Sequence, residues 1–280
     1  MLAKPARVSY ASPVRVTDDA LLLRRFRFGE SSLVVHAATR SHGRVHLLAK
    51  GVYRPSTRFY GALDLFDTLR LEWQTGPGRE LGNLTAATIL VRRHRLAADL
   101  DRYRAALTIL ELLEVGLQEE QPAGELFQLA CGALDRLLTW PLPDRPLVEF
   151  ELAFLQNLGL APALSECASC GGPAPATGFP DREPEESRRV LFSAQCGGRL
   201  CADCAQEARA LGRRVGSLPE KVLQAAARLA EPHRPHALPL DAATLVLVRD
   251  VAARFLEYQL QARPKSYRAF LSGPHRNRIP

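Results

Sequence analysis

Four of the six cysteines fall into two pairs, Cys167-x2-Cys170 and Cys201-x2-Cys204, with 30 residues between the pairs. Two thiolates so spaced on a tight knuckle converge on one cation, and two knuckles complete the tetrahedral four-sulfur shell that structural zinc prefers. Gly171 and Gly172 follow the first pair and Gly197 and Gly198 precede the second, which lets backbone amides approach the sulfurs. A closed four-sulfur shell leaves no position for substrate, so the single Zn2+ expected here is structural and local folding should depend on it. Two redox motifs, or four unliganded thiols, are the competing readings; thioredoxin-type chemistry needs one such pair behind a strand in a βαβ unit, which this sequence does not suggest. Cys196 breaks the paired spacing and reads as a spare thiol, and Cys131 lies among apolar residues of a helical pattern and reads as core. Residues 173–189, rich in Pro, Glu and Arg, read as a solvated insert between the knuckles.

The second constellation is basic. Residues 1–95 carry 16 Lys/Arg against 7 Asp/Glu, whereas residues 96–280 carry 21 against 23, so all of the chain's net +7 arises in its first third. A basic segment joined to a nearly neutral remainder suits a polyanion, because each cation that replaces a condensed counterion on a phosphate contributes affinity without reading sequence. The competing reading is a solvated face with a solubility bias. Arg24, Arg25, Arg27, Arg44, Lys50, Arg54 and Arg58 are interleaved with Phe26, Phe28, Tyr53, Phe59, Tyr60 and Trp73. Aromatics among cations give stacking platforms for bases. Phe26, Phe28, Phe66 and Trp73 stand in apolar strand contexts and are expected in the core; Tyr53, Phe59 and Tyr60 stand in a loop bounded by Gly, Pro and Ser.

Signatures of catalysis are missing from the string. His-x-Glu with Pro-Cys-x2-Cys, as a zinc base deaminase requires, does not occur. Lys50-Gly51 lacks a preceding G-x4-G, and Gly76-Pro77-Gly78 leads into strand-like sequence where a dinucleotide site needs a helix. No histidine pairs with an evident nucleophile, so the expectation is that the chain is not an enzyme. No apolar run approaches the roughly 20 residues of a membrane span, and the start Met-Leu-Ala-Lys-Pro does not read as a secretory signal. A cytoplasmic protein is expected.

The elements that must position these residues follow from periodicity. Short runs rich in Val, Phe, Thr and Tyr predict strands at 20–28, 33–38, 44–48, 65–73 and 83–91, with Ser41-His42-Gly43 and Gly76-Pro77-Gly78 as turns. Five strands in so short a span suggest a small closed or half-closed barrel. From residue 96 the period changes to 3.6 and predicts helices at 96–117, 124–138, 147–158 (ended by Gly159), 219–229 (capped by Ser217) and 242–261 (capped by Asp241).

Taken together, the motifs resemble those of the bacterial recombination mediator family RecO. The likeness is carried by Phe-Gly-Glu-Ser at 28–31, Thr-Arg-Ser-His-Gly-Arg at 39–44, Leu-Ala-Lys-Gly-Val at 48–52, Arg-Pro-Ser-Thr-Arg at 54–58 and Gly-Ala-Leu at 61–63. It continues in Phe-Glu-Leu-Ala-Phe-Leu-Gln-Asn-Leu-Gly at 150–159, in the two knuckles and in residues 266–271. The resemblance implies an α+β fold with an N-terminal OB-fold β-barrel (1–92), an α-helical domain in two parts (93–164 and 211–272), an embedded four-cysteine zinc-binding region (165–210) and a tail (273–280). It implies binding of single- and double-stranded DNA, annealing of complementary strands, cooperation with RecR, and help to RecA on DNA coated by single-strand-binding protein. By that similarity Lys50, Arg54 and Arg58 are the first DNA-contact candidates and Arg44 the second; the interleaving of cations and rings adds Arg25, Arg27, Tyr53 and Tyr60 to them. Arg102, Arg136 and Arg254 are candidates for a groove that takes the acidic, apolar tail of single-strand-binding protein. A zinc-containing RNA-binding or transcription-associated protein, a hydrolytic zinc enzyme and an interaction scaffold remain as rival readings, since barrels of this type also bind RNA.

Overall fold

The computed structural model describes residues 14–54, 57, 59, 61–76, 81–119, 121–177, 188–231 and 240–267. They form two compact units: the described residues up to His94 with Leu117–Phe127, and Arg95–Gly116 with the described residues from Gln128 onward.

The first unit is built from β1 (Val14–Phe28), β2 (Ser32–Thr39), β3 (Gly43–Ala49), β4 (Thr68–Thr75) and β5 (Gly82–Val91). They pair in the cyclic order β1-β2-β3-β5-β4, closing on β1. Fifteen residues let β1 serve two neighbours, its first half pairing with β4 and its second with β2. Inward positions such as Leu22, Val35, Leu47, Leu69, Leu71 and Trp73 alternate along the strands and fill one core, into which Phe59 also packs. Asp18 holds the β2–β3 turn, accepting from the Ser41 amide at 2.7 Å and lying 2.9 Å from His42 Nδ1. Gly43 opens β3 with φ +63, and a Cβ there would stand 2.3 Å from the Gln118 carbonyl oxygen. Only glycine allows the 117–119 segment to lie against β3, where the Arg44 amide donates to Gln118 O at 3.0 Å.

A register shift between Leu22 and Arg24 decides which side chains face out. Before it Leu22 faces Ala37; after it Arg24, Phe26 and Phe28 stand opposite His36, Val34 and Ser32. One extra residue inverts the alternation. Phe26 and Phe28, expected in the core, are therefore 45% and 57% exposed. Phe66 and Trp73 are buried as expected, and Phe59, expected in the loop, is buried too.

The second unit contains α1 (Leu100–Gly116), most of α2 (Gly124–Thr139), α3 (Asp144–Asn157), β6 (Arg189–Ser193), β7 (Gly198–Leu200), α4 (Ala202–Ala210), β8 (Gly216–Pro219), α5 (Glu220–Ala230) and α6 (Ala242–Leu260). α1, α3, α5 and α6 pack together through Phe150, Phe154, Leu223, Phe255 and their neighbours. Asp241 caps α6, accepting from the Thr244 amide at 2.8 Å. Ser217 caps nothing: it lies in β8 and accepts from Arg189 Nε at 2.8 Å, while Pro219 precedes α5.

The expected fold class, an OB-fold barrel followed by a helical domain with an embedded zinc region, is corrected by these pairings. The ring is not an evenly bonded barrel, because β3 and β5 meet along a parallel seam of three residue pairs, Leu47 with Gly82, Leu48 with Asn83 and Ala49 with Leu84. The later part is not simply helical either, since β7-β6-β8 form a three-stranded antiparallel sheet that frames the cysteine region. Strands as short as these do not display a period.

Candidate nucleic-acid interface and metal centre

Lys50 is exposed on the turn that leaves β3, and the chain reverses there through Gly51 (φ +72), with the Arg54 amide donating to Gly51 O at 3.1 Å. Lys50 and Arg54 line a pocket of about 310 Å³ with Thr57, Phe59, Asn83 and Thr85. Phe59 and Leu84 give it an apolar floor, while Thr85 is committed to Glu72 O at 2.9 Å. Asn83, absent from the sequence-based candidates, has its Oδ1 buried with no hydrogen-bond partner among the described residues. Its only sequence signal is a polar residue at the start of an apolar strand. Arg58 and Tyr60 lie outside the described residues.

The remaining cations divide by what they touch. Arg25, on the inward parity after the register shift, donates to Leu63 O at 2.6 Å and Asp64 Oδ1 at 2.8 Å, so it fastens the 61–64 turn. Arg44 reaches Glu119 at 3.2 Å, Arg70 reaches Asp19 at 2.9 Å, and Arg93 is buried against Phe66 O and Thr68 Oγ1. Arg27 lies over the Tyr53 ring, 5.1 Å from its centroid, and Tyr53 is half exposed. The structure thus brings Lys50 with Arg54, and Arg27 with Tyr53, but gives Arg25 and Arg44 acidic partners.

In the second unit Arg102 donates to Leu137 O and Arg136 faces Glu149 at 3.7 Å. Arg254, 3.9 Å from Asp250, lines a separate pocket of about 300 Å³ with Ala194, Gln195, Arg214 and Tyr258.

The four paired cysteines converge. All ligand atoms of Cys167, Cys170, Cys201 and Cys204 lie within 4.8 Å of one another, and Cys170 Sγ is 4.0 Å from Cys201 Sγ. A tetrahedral zinc at a Zn–S distance of about 2.3 Å places its sulfurs about 3.8 Å apart, so this donor set fits the ion. The first knuckle closes as the Gly171 amide donates to Cys167 O at 2.9 Å. The second opens α4, with Cys201 preceding its first turn, where the helix dipole favours a thiolate. Burial pushes the Cys167 thiol up, but amides of Cys170, Cys201 and Ser169 directed at it outweigh that and bring it down to about 6. The Cys204 thiol is pushed up, first by its contact with Cys201 and then by Cys167. Four thiols in one place cannot all ionise unless a cation joins them. The apolar cluster around them holds only Cys167, Ala174, Leu200, Ala205 and Ala208 as buried members among the described residues. Gly198, at φ +146, bears on the same framework: a Cβ would stand 2.3 Å from Ala163 O.

Cys196 lies outside the quartet, with Arg213 Nη1 at 3.7 Å from its sulfur, and Cys131 is half-buried where core was expected. The base of the insert is tied by Thr177, whose amide donates to Arg189 O at 2.7 Å; residues 178–187 lie outside the described ones. No described helix is long and apolar enough to cross a membrane.

Comparison with known proteins adds an independent finding. The family model described as "Recombination protein O N terminal" matches residues 14–92, and "Recombination protein O C terminal" matches residues 97–268. The chain is 35% identical over 191 residues to the "DNA repair protein RecO" of Anaeromyxobacter sp. (strain K), covering 68% of this chain and 71% of that one. It is 32% identical over 251 residues to the protein of the same name from Anaeromyxobacter dehalogenans (strain 2CP-C), covering 89% and 93%. Another of that name, from Nocardioides sp. (strain ATCC BAA-499 / JS614), is 32% identical over 190 residues, covering 67% and 73%.

Proposed function

Because this chain belongs to the recombination protein O family, we propose that it serves DNA repair as a recombination mediator and not as an enzyme. It binds single- and double-stranded DNA, anneals complementary strands and, with RecR, helps RecA onto DNA coated by single-strand-binding protein. The observation that carries the DNA-binding part is the Lys50–Arg54 pocket, a concave basic site in the segment that holds all of the chain's excess positive charge. Annealing needs no covalent chemistry. Cations that neutralise phosphate repulsion between two strands lower the barrier to pairing, and exposed rings such as Tyr53 hold bases apart from their own stack.

The four thiols hold one structural Zn2+ that keeps α4 and the β7-β6-β8 sheet together around a small apolar cluster. The pocket lined by Arg214, Arg254 and Tyr258 has the cations and the ring that an acidic, apolar tail peptide of single-strand-binding protein would meet, and it favours Arg254 over Arg102 and Arg136 as that contact. The setting is the cytoplasm, at the nucleoid.

Annealing of complementary oligonucleotides across a salt series tests the reading. The native chain anneals, and Lys50→Ala/Arg54→Ala weakens binding and flattens the logarithmic salt slope by about 0.7 per lost single-strand phosphate contact. A native chain that neither binds nor anneals DNA at low salt would falsify it, and equal affinity for RNA without annealing would favour the RNA-binding alternative.

A further inference from the structure

Three rings form a continuous row on the outer face of β1, β2 and β3. Phe26 and His36 have centroids 5.1 Å apart and planes inclined at 59°; His36 and His46 are stacked, 4.0 Å apart at 27°. His36 and His46 are direct cross-strand partners, and Arg24 is the partner of His36 on β1, so cation and rings share one face. The row exists because the register shift turned Phe26 outward, leaving it 45% exposed where regular alternation would have buried it. Val34 and Leu48, half-buried beside the rings, extend the apolar surface. Beyond His46 the face meets Glu119, whose carboxylate is 4.0 Å from His46 Nε2 and 3.2 Å from Arg44, so an ion pair closes one end and the exposed Arg24 and Phe26 stand at the other.

We propose that Phe26, His36 and His46 form a base-stacking platform for single-stranded DNA, separate from the Lys50–Arg54 pocket. The inference rests on the DNA-binding reading above and adds to it which side chains take bases as distinct from phosphates. The exposed phenyl ring, backed by the stacked and half-buried imidazoles of His36 and His46, offers a π-face to any base, and Arg24 supplies charge that attracts the backbone at the open end. A strand laid on this row contributes stacking without sequence preference, which annealing requires because any complement must be accepted.

Fluorescence anisotropy of the full-length protein with a single-stranded oligonucleotide, and with one of the same length carrying abasic positions, tests the platform. Phe26→Ala and His36→Ala each weaken binding of the base-bearing strand about five- to tenfold, leave the abasic strand unchanged and leave the salt slope as it was. His36→Phe keeps a ring and restores affinity. Equal losses on both strands, failure of His36→Phe to restore binding, or unchanged affinity in the alanine variants each overturn the platform; the last outcome leaves the face to a protein partner. Lys50→Ala/Arg54→Ala measured in parallel separates the two levels: if it flattens the salt slope while ring variants bind normally, DNA binding stands and the platform fails.

Discussion

Glu151 is fully buried on α3 and accepts a hydrogen bond from Tyr267 Oη at 2.7 Å. Burial pushes its carboxyl up to about 8, against which the Tyr267 hydrogen bond and the Arg249 charge pull downward. The folded protein therefore holds this proton more tightly than the unfolded chain, in which the group titrates near 4.5. The stabilisation is fully present below about pH 4.5 and is lost as pH rises through about 8, with a slope of up to about 1.4 kcal/mol per pH unit for one proton. Denaturant unfolding between about pH 5 and 9 is expected to show this decline, and Glu151→Gln to flatten it; the same slope in both proteins would remove Glu151 as its source. Ser266 is fastened nearby, its amide and hydroxyl donating to Glu111 at 3.0 and 2.8 Å, so two carboxylates hold the segment after α6. Neither carboxylate was visible as a site in the sequence. Glu111 and Glu151 occupy helical patterns like any surface glutamate, and their roles depend on partners 155 and 116 residues away.

At the scale of the element, the legible parts were those with a local cause. The Asp241 cap, Gly159 after α3 and the two knuckles each declare themselves within a few residues, whereas the register shift in β1 depends on its pairing with β2 and reversed the expected orientation of Phe26 and Phe28. β6, β7, β8 and α4 escaped prediction because their order comes from the cysteine framework more than from an amphipathic period. Metal removal is the corresponding test. The native chain should release one zinc per molecule on thiol modification, and stripping the ion should speed tryptic cleavage at Arg209 and Arg213 while α1 and α3 stay protected. Cys167→Ser and Cys204→Ser should reproduce the stripped state. Unchanged cleavage after full metal loss would show that the small apolar cluster holds by itself. Because structural zinc typically contributes on the order of 10 kcal/mol to local folding, a partial effect is not expected.

The molecule as a whole divides where the charge does, but the division does not follow the chain. Leu117–Phe127, placed in the helical domain by the sequence, belongs with the strands, because Gly43 admits it against β3 and the Ala123 amide donates to Arg40 O at 3.2 Å. Such a return, with Glu119 meeting Arg44 from 75 residues away, leaves no local trace in the sequence. Gly43→Ala should lower the calorimetric transition of the strand unit, by more than about 1 kcal/mol since both φ and the Gln118 carbonyl resist a Cβ, and leave the transition of the helical unit in place. A common shift of both transitions would mean that the units unfold as one. The strand unit has, besides, one thin place. Three residue pairs join β3 to β5, against eight between β1 and β4. Thermal opening should begin there, so that those amides of Leu47–Ala49 and Gly82–Leu84 that bond across the seam lose protection from solvent exchange before those buried in the β1–β4 ladder. Lys50 follows one lip of that seam and Asn83 lies on the other. The ring is thus a clasp more than a rigid cylinder, and a bound strand that touches both lips would be measured first by how far it slows their breathing.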